Sequence, residues 1–420
     1  MLRLSVIFVL AVSAFVMAPA TSSAQNQPVR LSELLPELYF DVIFPQYVAF
    51  IDVTNVEPQV KGLVTASHLT ELLSDQLSSF PLVSASGGFT WSVDTASGAF
   101  TRASDSFGPV FAERALTIGR RRLNVGTNYQ HVTFDHLDGR RLAGGDIVSY
   151  TGAPNLVGTI GIFFADALDL KVTTDTVSGF ATYGVTDRFD IGVAVPINRV
   201  AMKASLTSRI GNTRDGVAGS PPTVTSRSGA ASGIGDVVVR TKFNILKSNG
   251  GGVAEAVDVR LPTGDERNLL GVAGPQVKLA LIASSMVGRL SPHLNLGYTI
   301  SGTSSSVDDP DSTVIAPPEE INYAGGADVA LSLRTTVAVD VVGRTLRRVG
   351  TLTHGPTVFG PDFPEFQFNS GTNQNLLVGS VGLKVNPFAN MLVTANVLFP
   401  LSKRGLTDNL TWMAGIDYSF

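Results

Sequence analysis

Apolar and polar residues alternate along much of the chain, from about Leu116 to the last residue, in segments of about ten residues or more. In one such segment Phe189, Ile191 and Val193 alternate with Asp190 and Gly192. A period of two places one set of side chains on each face of a β-strand. A soluble sandwich or propeller would also alternate, but its strands are typically shorter, about 5–6 residues. The pattern therefore favours long strands that cross a membrane.

The connections between these segments alternate in length. Short connections at 184–187, 247–252, 288–292, 334–335 and 386–389 alternate with longer ones at 263–275, 304–319 and 350–371. Short turns on the periplasmic rim and long loops on the outer rim are typical of outer-membrane barrels. We therefore predict an all-β fold, a transmembrane antiparallel barrel of about 12 strands, with 10 and 14 as the limits, over residues 113–420. The candidate strands are 116–134, 169–183, 188–205, 233–246, 253–262, 276–288, 292–302, 320–333, 336–348, 374–385, 389–400 and 409–420.

Composition is consistent with this fold and excludes several classes of site. Charged residues make up 16% of the 420 residues, where about 25% is usual for soluble domains. The chain has no cysteine, which excludes disulfides, thiolate metal sites and cysteine nucleophiles. The formal net charge of −4 lacks the basic excess of a nucleic-acid-binding domain, so no nucleic-acid partner is expected.

The N-terminus has the layout of a secretory signal peptide. Arg3 precedes an apolar run over 4–17, and small residues lead to a predicted cleavage after Ala24. The alternative is an uncleaved anchor, but the run is shorter than the ~20 residues of a spanning helix. We expect no later apolar run to approach that length. Residues 1–24 are therefore predicted to be removed during export, and the mature protein to reside in the outer membrane.

Residues 25–112 lack the long alternation. Four leucines between positions 31 and 38 are spaced as one face of a short helix, which Pro36 is expected to break. A second helix is predicted over 68–77 with Ser67 as its N-cap, followed by a small hairpin within 87–102. This segment is expected to form a plug in the barrel or a periplasmic module. Arginines 114 and 120–122, which would lie at the periplasmic mouth, favour the plug.

Charged residues of both signs occupy the predicted inward faces of the strands. They are Asp190, Asp236, Arg240, Lys242, Asp258, Arg260, Lys278, Asp328, Asp340, Arg344, Lys384 and Asp417. A selective ion pore would show a bias of one sign, so we expect pairing across a narrow lumen. Two interpretations remain open: these residues pack the interior of the barrel, or they line a permeation path.

Two aromatic groups are candidate functional elements. Phe359, Phe363, Phe366 and Phe368 lie in the long loop 350–371 and could grip a ligand at the outer entrance, contact the membrane interface or pack within the loop. Trp412, Tyr418 and the terminal Phe420 lie on the apolar face of the last strand. This ending resembles the C-terminal signal that outer-membrane assembly machinery recognises, so that machinery is a predicted partner.

Three motifs carry a family resemblance: YGVTDRFDIGVAVP at 183–196, GIGDVVVRTKF at 233–243 and RLPTGD at 260–265. They resemble a family of bacterial outer-membrane proteins associated with transport in the meta-pathway of phenol degradation. The resemblance runs from about Leu116 to Phe420 and does not cover the N-terminal segment. It implies a β-barrel similar to the channels for long-chain fatty acids and aromatic hydrocarbons.

The resulting functional prediction is passive uptake of small hydrophobic or aromatic compounds across the outer membrane. The alternatives are a structural or interaction barrel without transport, or a narrow general porin. No Gly-x-Ser-x-Gly elbow accompanies the histidines, and no enzymatic activity, cofactor or metal is expected. The expected partners are outer-membrane lipid, the assembly machinery and a small hydrophobic ligand.

Overall fold

The computed structural model describes residues 30–54, 57–78, 88–93, 100–157, 160–217, 221–248, 250–302 and 317–420. The predicted signal peptide, residues 1–24, lies outside this part of the chain. The N-terminal elements are α1 (Leu31–Thr54), β1 (Gln59–Val60), α2 (Gly62–Ser78), β2 (Trp91–Val93) and β3 (Phe100–Arg102). The elements that follow are β4 (Leu123–Phe134), β5 (His136–Leu137), β6 (Arg140–Arg141), β7 (Ile147–Val157), β8 (Ile160–Gly184), β9 (Phe189–Asn212), β10 (Thr223–Ile234), β11 (Val237–Ser248), β12 (Gly251–Leu261), a 3₁₀ turn (Glu266–Asn268), β13 (Gln276–Ser284), β14 (Leu290–Ser301), β15 (Glu320–Ser332), β16 (Thr335–Leu346), β17 (Thr351–Thr357), β18 (Gly360–Asn369), β19 (Gln374–Val385), β20 (Met391–Pro400), β21 (Leu406–Thr407) and β22 (Thr411–Ser419).

Twelve of these strands close into an antiparallel barrel. They follow one another around the wall in the order β4, β8, β9, β11 to β16, β19, β20 and β22. The last strand then pairs with the first, from Trp412 opposite His131 to Ser419 opposite Asn124. The predicted barrel is confirmed, and each of the twelve candidate segments overlaps one of its strands, although β8 begins nine residues before its candidate segment and β9 ends seven residues after its own. The first strand begins later than expected, at Leu123, because residues before it enter the lumen.

Side chains alternate between the two faces of the wall as the sequence predicts. On β13, Val277, Leu279 and Leu281 are exposed outside, while Gln276 and Ile282 are buried inside. Every strand of a closed barrel has a neighbour on both sides, so its backbone groups are paired without water. The apolar exterior and closed sheet define a barrel of the outer-membrane type, and the protein is located in the outer membrane.

Two barrel strands are far longer than a membrane requires. β8 has 25 residues and β9 has 24, where about 9–11 residues suffice to span the bilayer. Their outer halves continue beyond the rim and pair with β7 and β10, and β1 adds to β7. We call this extension, formed by β1, β7, β8, β9 and β10, the projecting sheet.

Helix α1 lies against the inner face of the projecting sheet and against α2. It passes through Pro36 and Pro45 without ending, so the expected break at Pro36 is wrong. Leu35, Leu38 and Tyr39 are fully buried around Pro36, and this packing offsets the hydrogen bond that proline cannot donate. The expectation of no later helix-length apolar run is also wrong. By length and composition, residues 31–52 could cross a membrane, but one face of this helix packs into the large buried cluster of the protein.

The second helix is also longer than predicted. It begins at Gly62, and Ser67 is an internal residue whose hydroxyl donates to the carbonyl of Leu63 at 3.1 Å. The N-cap prediction is therefore wrong, because Ser67 bonds back along the helix instead of to a free N–H. The predicted hairpin is confirmed by the pairing of β2 with β3.

The largest buried cluster joins both helices to the upper wall. Its members include Leu35 and Leu73 from the helices, Val200 and Met202 from β9, and Leu352 from the loop hairpin. The helices thus cap the outer end of the lumen through apolar packing.

Replacing Leu35 with alanine is expected to destabilise this docking by about 2–5 kcal/mol, since Leu35 is fully buried. The barrel wall should remain intact. Limited proteolysis would then cut within 31–78, while the barrel keeps its heat-dependent mobility shift in SDS gels. Val48→Ala, at a 40% exposed position of the same helix, is the matched control and should leave proteolysis unchanged.

Candidate functional site in the lumen

Residues 103–118 cross the lumen in extended form below the helices. Their backbone N–H groups donate to inward side chains of four strands: Phe107 to Thr336 (2.9 Å), Glu113 to Asn295 (2.7 Å), Ala115 to Ser284 (3.0 Å) and Ile118 to Asp190 (3.0 Å). Contacts to strands on different sides of the barrel place this segment within the lumen. We call the described residues between 30 and 118 the plug.

The first charged cluster ties the plug to β11 and β12. The Arg240 guanidinium contacts both carboxylate oxygens of Asp258 and also binds Glu113 of the plug. Lys278 approaches Asp258 at 2.7 Å, and Lys242 approaches Glu113 at 3.5 Å. These ion pairs join directly opposed residues of neighbouring strands, Arg240 and Lys278 to Asp258, and join the wall to Glu113 of the plug, whereas the sequence predicts pairing across the lumen.

A second cluster lies on β14, β15 and β16, next to the strands of the first. His293 Nε2 is 2.6 Å from Asp340, and His293 Nδ1 is 3.5 Å from Asp328. The Lys384 ammonium donates to the carbonyls of Pro109 (2.6 Å) and Phe107 (3.3 Å) in the plug. Both clusters therefore hold the same extended segment of the plug.

The remaining predicted lumen residues serve other contacts. Asp236, at the corner between β10 and β11, accepts from the N–H groups of Gly264 (3.1 Å) and Val272 (2.8 Å). Arg344 lies 3.8 Å from Glu320. The other two are Asp417, which is buried, and Arg260, which borders a cavity.

All twelve predicted charges thus lie on the inner side of the wall or at its corner, but several of their partners were not predicted. Glu113 lies just before the first candidate strand, 116–134, and the sequence carries no signal that it meets Arg240. His293 was recognisable, since it holds an inward position in the alternation of β14.

A cavity of about 230 Å³ lies between the plug and the wall. Its charged lining comprises Arg240, Arg260, Lys278, Arg344 and Arg404 with Glu113, Asp258 and Glu320, and its apolar lining includes Phe111, Phe134, Leu376 and Leu406. The cavity therefore offers an aromatic and aliphatic wall beside an excess of cationic groups.

The four phenylalanines of the long loop are packed against the protein. Phe359 and Phe363 contact Tyr150 and Phe163 of the projecting sheet, with ring centroids 4.9–6.3 Å apart. Phe368 stacks on His68 of α2 at 3.9 Å. Phe366 is buried in the large cluster shared with the helices. The hairpin formed by β17 and β18 thus closes over the plug.

Helix α1 instead presents exposed aromatic residues. Phe40 and Phe44 are 51% and 53% exposed, and their rings stack at 5.1 Å. Val48 extends this face by one more turn. The four-residue spacing of these three residues was a usable helical signal, but the expected break at Pro36 obscured it.

The aromatic residues of the last strand face outward. Trp412, Tyr418 and Phe420 are 48%, 37% and 60% exposed. The Tyr418 and Phe420 rings meet edge to face at 4.8 Å near the periplasmic rim. Recognition by the assembly machinery stays a prediction.

In the described part of the chain, no group of three or more histidine, aspartate or glutamate side chains could hold a metal ion. The twelve-stranded wall, the enclosed plug and the paired lumen charges define the class: a plugged outer-membrane β-barrel.

The family model described as "Putative MetA-pathway of phenol degradation" matches residues 145–363, just over half of the chain, and the chain belongs to this family. No curated protein matches the sequence. Among solved structures, an outer-membrane channel of Pseudomonas putida F1 is 14% identical, with a TM-score of 0.41 over 73% of this chain and 98% of that one. A FadL homologue of Pseudomonas aeruginosa is 12% identical, with a TM-score of 0.31 over 73% and 90%. The Ralstonia pickettii toluene transporter TbuX is 11% identical, with a TM-score of 0.32 over 72% and 89%.

Removing Glu113 is expected to loosen the plug. Glu113→Ala would leave Arg240 and Lys242 without one buried partner, at a cost of about 3–5 kcal/mol. Single-channel recordings in a planar bilayer should show more frequent openings than the unmodified protein. Glu319→Ala removes an exposed ion pair with Arg347 and is expected to change nothing. Equal conductance of all three proteins would contradict a tethering role for Glu113.

Asp75 makes the docking of α2 dependent on pH. Burial, followed by the negative charges of Glu71 and Glu320, raises the pKa of Asp75 to about 7. The same carboxyl ionises near pH 4 when the plug is unfolded, so docking is most stable at low pH and weakens as the pH rises from about 4 to about 7.

Amide exchange of residues 62–78 measures this effect. At pH 8 the unmodified protein should exchange faster than Asp75→Asn, and at about pH 3.5, below both pKa values, the two should exchange alike. Asp52→Asn, at an exposed position of α1, is the control. Identical exchange of Asp75→Asn and the unmodified protein at both pH values would refute the coupling.

Proposed function

We propose that the protein takes up small aromatic compounds passively across the outer membrane. The observation that supports this proposal is the lumen cavity, which combines Phe111 and Phe134 with several cationic side chains. Sites for small molecules are typically concave and apolar, with a few polar groups that fix the orientation of the ligand. The cavity has this composition.

The size of the cavity favours a single ring. Its volume of about 230 Å³ exceeds the ~150 Å³ of an engineered cavity that binds benzene. It is smaller than the about 300–1,000 Å³ typical of drug-sized ligands. The charged lining favours a ring that carries a polar substituent, such as phenol, over a plain hydrocarbon.

The exposed stack of Phe40 and Phe44 at the outer end provides a first contact for such a ligand. Aromatic side chains bind other rings by stacking or by edge-to-face contact. The ligand would then move past the plug into the cavity. The phenylalanines of the long loop, which are packed on the projecting sheet and α2, would hold the vestibule in shape around this contact.

The two alternatives receive less support. A general porin requires an open aqueous lumen, whereas the ion pairs of Arg240 and the contacts of Lys384 hold the plug across it. A purely structural barrel does not account for an exposed aromatic stack at the outer end together with a cavity of aromatic and cationic lining. The proposal involves no chemical conversion of the ligand, so no catalytic residue is assigned.

Uptake by intact cells tests the proposal. Cells that express the unmodified protein should take up radiolabelled phenol faster than cells that carry an empty vector. Phe40→Ser combined with Phe44→Ser should slow uptake by about tenfold, because two apolar contacts for the ligand are lost. Phe388→Ser, at a 60% exposed site in a periplasmic turn, is the matched control.

Two results would overturn the proposal. Uptake equal to that of the empty vector would remove transport and favour the structural barrel. Uptake of small sugars at the same rate as phenol, with steady openings of the unmodified protein in bilayers, would favour the porin. A variant that lacks residues 25–118 separates the two, since a barrel that is closed only by its plug should open when the plug, including the segment that crosses the lumen, is removed.

A further inference from the structure

The outer face of the projecting sheet carries two lysines directly opposite one another. Lys171 on β8 pairs with Lys203 on β9, and both side chains are exposed. Like charges at directly opposed positions of neighbouring strands destabilise a sheet. Such a pair is therefore a natural position for an anion that neutralises both.

Two arginines extend this cationic surface along β9. Arg199 and Arg209 are exposed on the same face as Lys203, since all three occupy alternate positions of the strand. Within the described ranges, none of these four cations forms an ion pair or a side-chain hydrogen bond. We call Lys171, Arg199 and Lys203 the basic patch.

The nearby carboxylates are engaged elsewhere. Asp175, opposite Arg199, accepts from the Tyr129 hydroxyl at 2.8 Å and lies 2.7 Å from His131. Asp169, next to the patch on β8, accepts from the N–H of Gly144 at 3.0 Å. Both carboxylates lie on the same face of β8 as Lys171 and offset part of the charge, but the three cations of the patch outnumber them.

The sequence of β9 determines where the basic patch lies relative to the apolar band of the barrel. The outward residues from Phe189 to Ile197 are all apolar, and Arg199 is the first outward charge. From Phe189 to Arg199 the strand runs roughly 33 Å at about 3.3 Å per residue, which is the length that a strand tilted by about 35–45° needs to cross an apolar band of about 25 Å. Arg199 thus lies at the outer edge of the band, and Lys203 lies roughly 13 Å further along the strand.

Hydroxyl groups complete the surface. On β10, Ser228 is directly opposite Lys203, and Ser232 is opposite Arg199. Both serines are exposed. A phosphate group accepts hydrogen bonds from ammonium, guanidinium and hydroxyl donors together.

We propose that the basic patch binds the phosphate groups of lipopolysaccharide in the outer leaflet. The ligand is a phosphorylated glycolipid whose acyl chains lie against the apolar band and whose phosphates lie at the level of Arg199 and Lys203. Lys171 and Lys203 together hold one phosphate, and Arg199 binds below them, nearer the acyl chains.

Binding of purified deep-rough lipopolysaccharide to the full-length mature protein in detergent tests this assignment. Lys171→Gln combined with Lys203→Gln should weaken binding about tenfold or more, since each basic residue near an anionic lipid surface contributes measurably. Lys247→Gln combined with Lys403→Gln removes the same charge at distant exposed positions and should bind as the unmodified protein does. Lys171→Arg with Lys203→Arg should retain binding.

The source of the anion is distinguished by three further probes. Dephosphorylated lipopolysaccharide should bind at least tenfold more weakly, and inorganic phosphate alone should not compete at millimolar concentration. Phosphatidylglycerol vesicles should bind the unmodified and double variants alike. Equal weakening of both double variants, or equal binding of the dephosphorylated lipid, would overturn the assignment. The heat-dependent gel shift confirms that each variant is folded before its binding is compared.

Discussion

Closure of the backbone hydrogen-bond network between β22 and β4 is the constraint on which the rest of this structure depends. An unpaired N–H or C=O group in hydrocarbon costs several kcal/mol, so a membrane-spanning sheet must have no free edge. Once the wall is closed and its outer face is apolar, the polar side chains of its strands must face the lumen. The lumen receives them, and the plug inside it supplies the opposite charges and the carbonyl groups that they need.

The described contacts of the lumen charges therefore hold the plug against the wall. Arg240 joins Glu113 of the plug to Asp258 of the wall, while Lys384 binds plug carbonyls on the far side. A buried charge that loses its partner is strongly destabilising, which keeps the plug in place. Asp75 is the exception, since burial and the neighbouring carboxylates of Glu71 and Glu320 raise its pKa, and its ionisation weakens the docking of α2.

The sequence predicted the wall well because a two-residue period determines both the strand and the face. All twelve barrel strands and the inward position of every predicted charge follow from this alternation. It does not predict which charges meet, because Glu113 and Arg240 are far apart along the chain and their contact depends on the path of the plug. The length of helix α1 was underestimated because the expected break at Pro36 rests on the local propensity of proline. The burial of Leu35 and Tyr39, which stabilises the helix, comes from distant strands. The projecting sheet was also missed, because alternation continues unchanged from the membrane into water.

The junction of the plug with β4 has a consequence for the order of assembly. The plug is covalently attached to the strand that forms one side of the seam, and the last strand forms the other side. The ring therefore remains open beside the plug until the last strand pairs with the first. Closing an empty ring would bury Arg240, Lys242 and Lys384 without their plug partners. The plug is therefore expected to enter the lumen through the open seam before β22 pairs with β4.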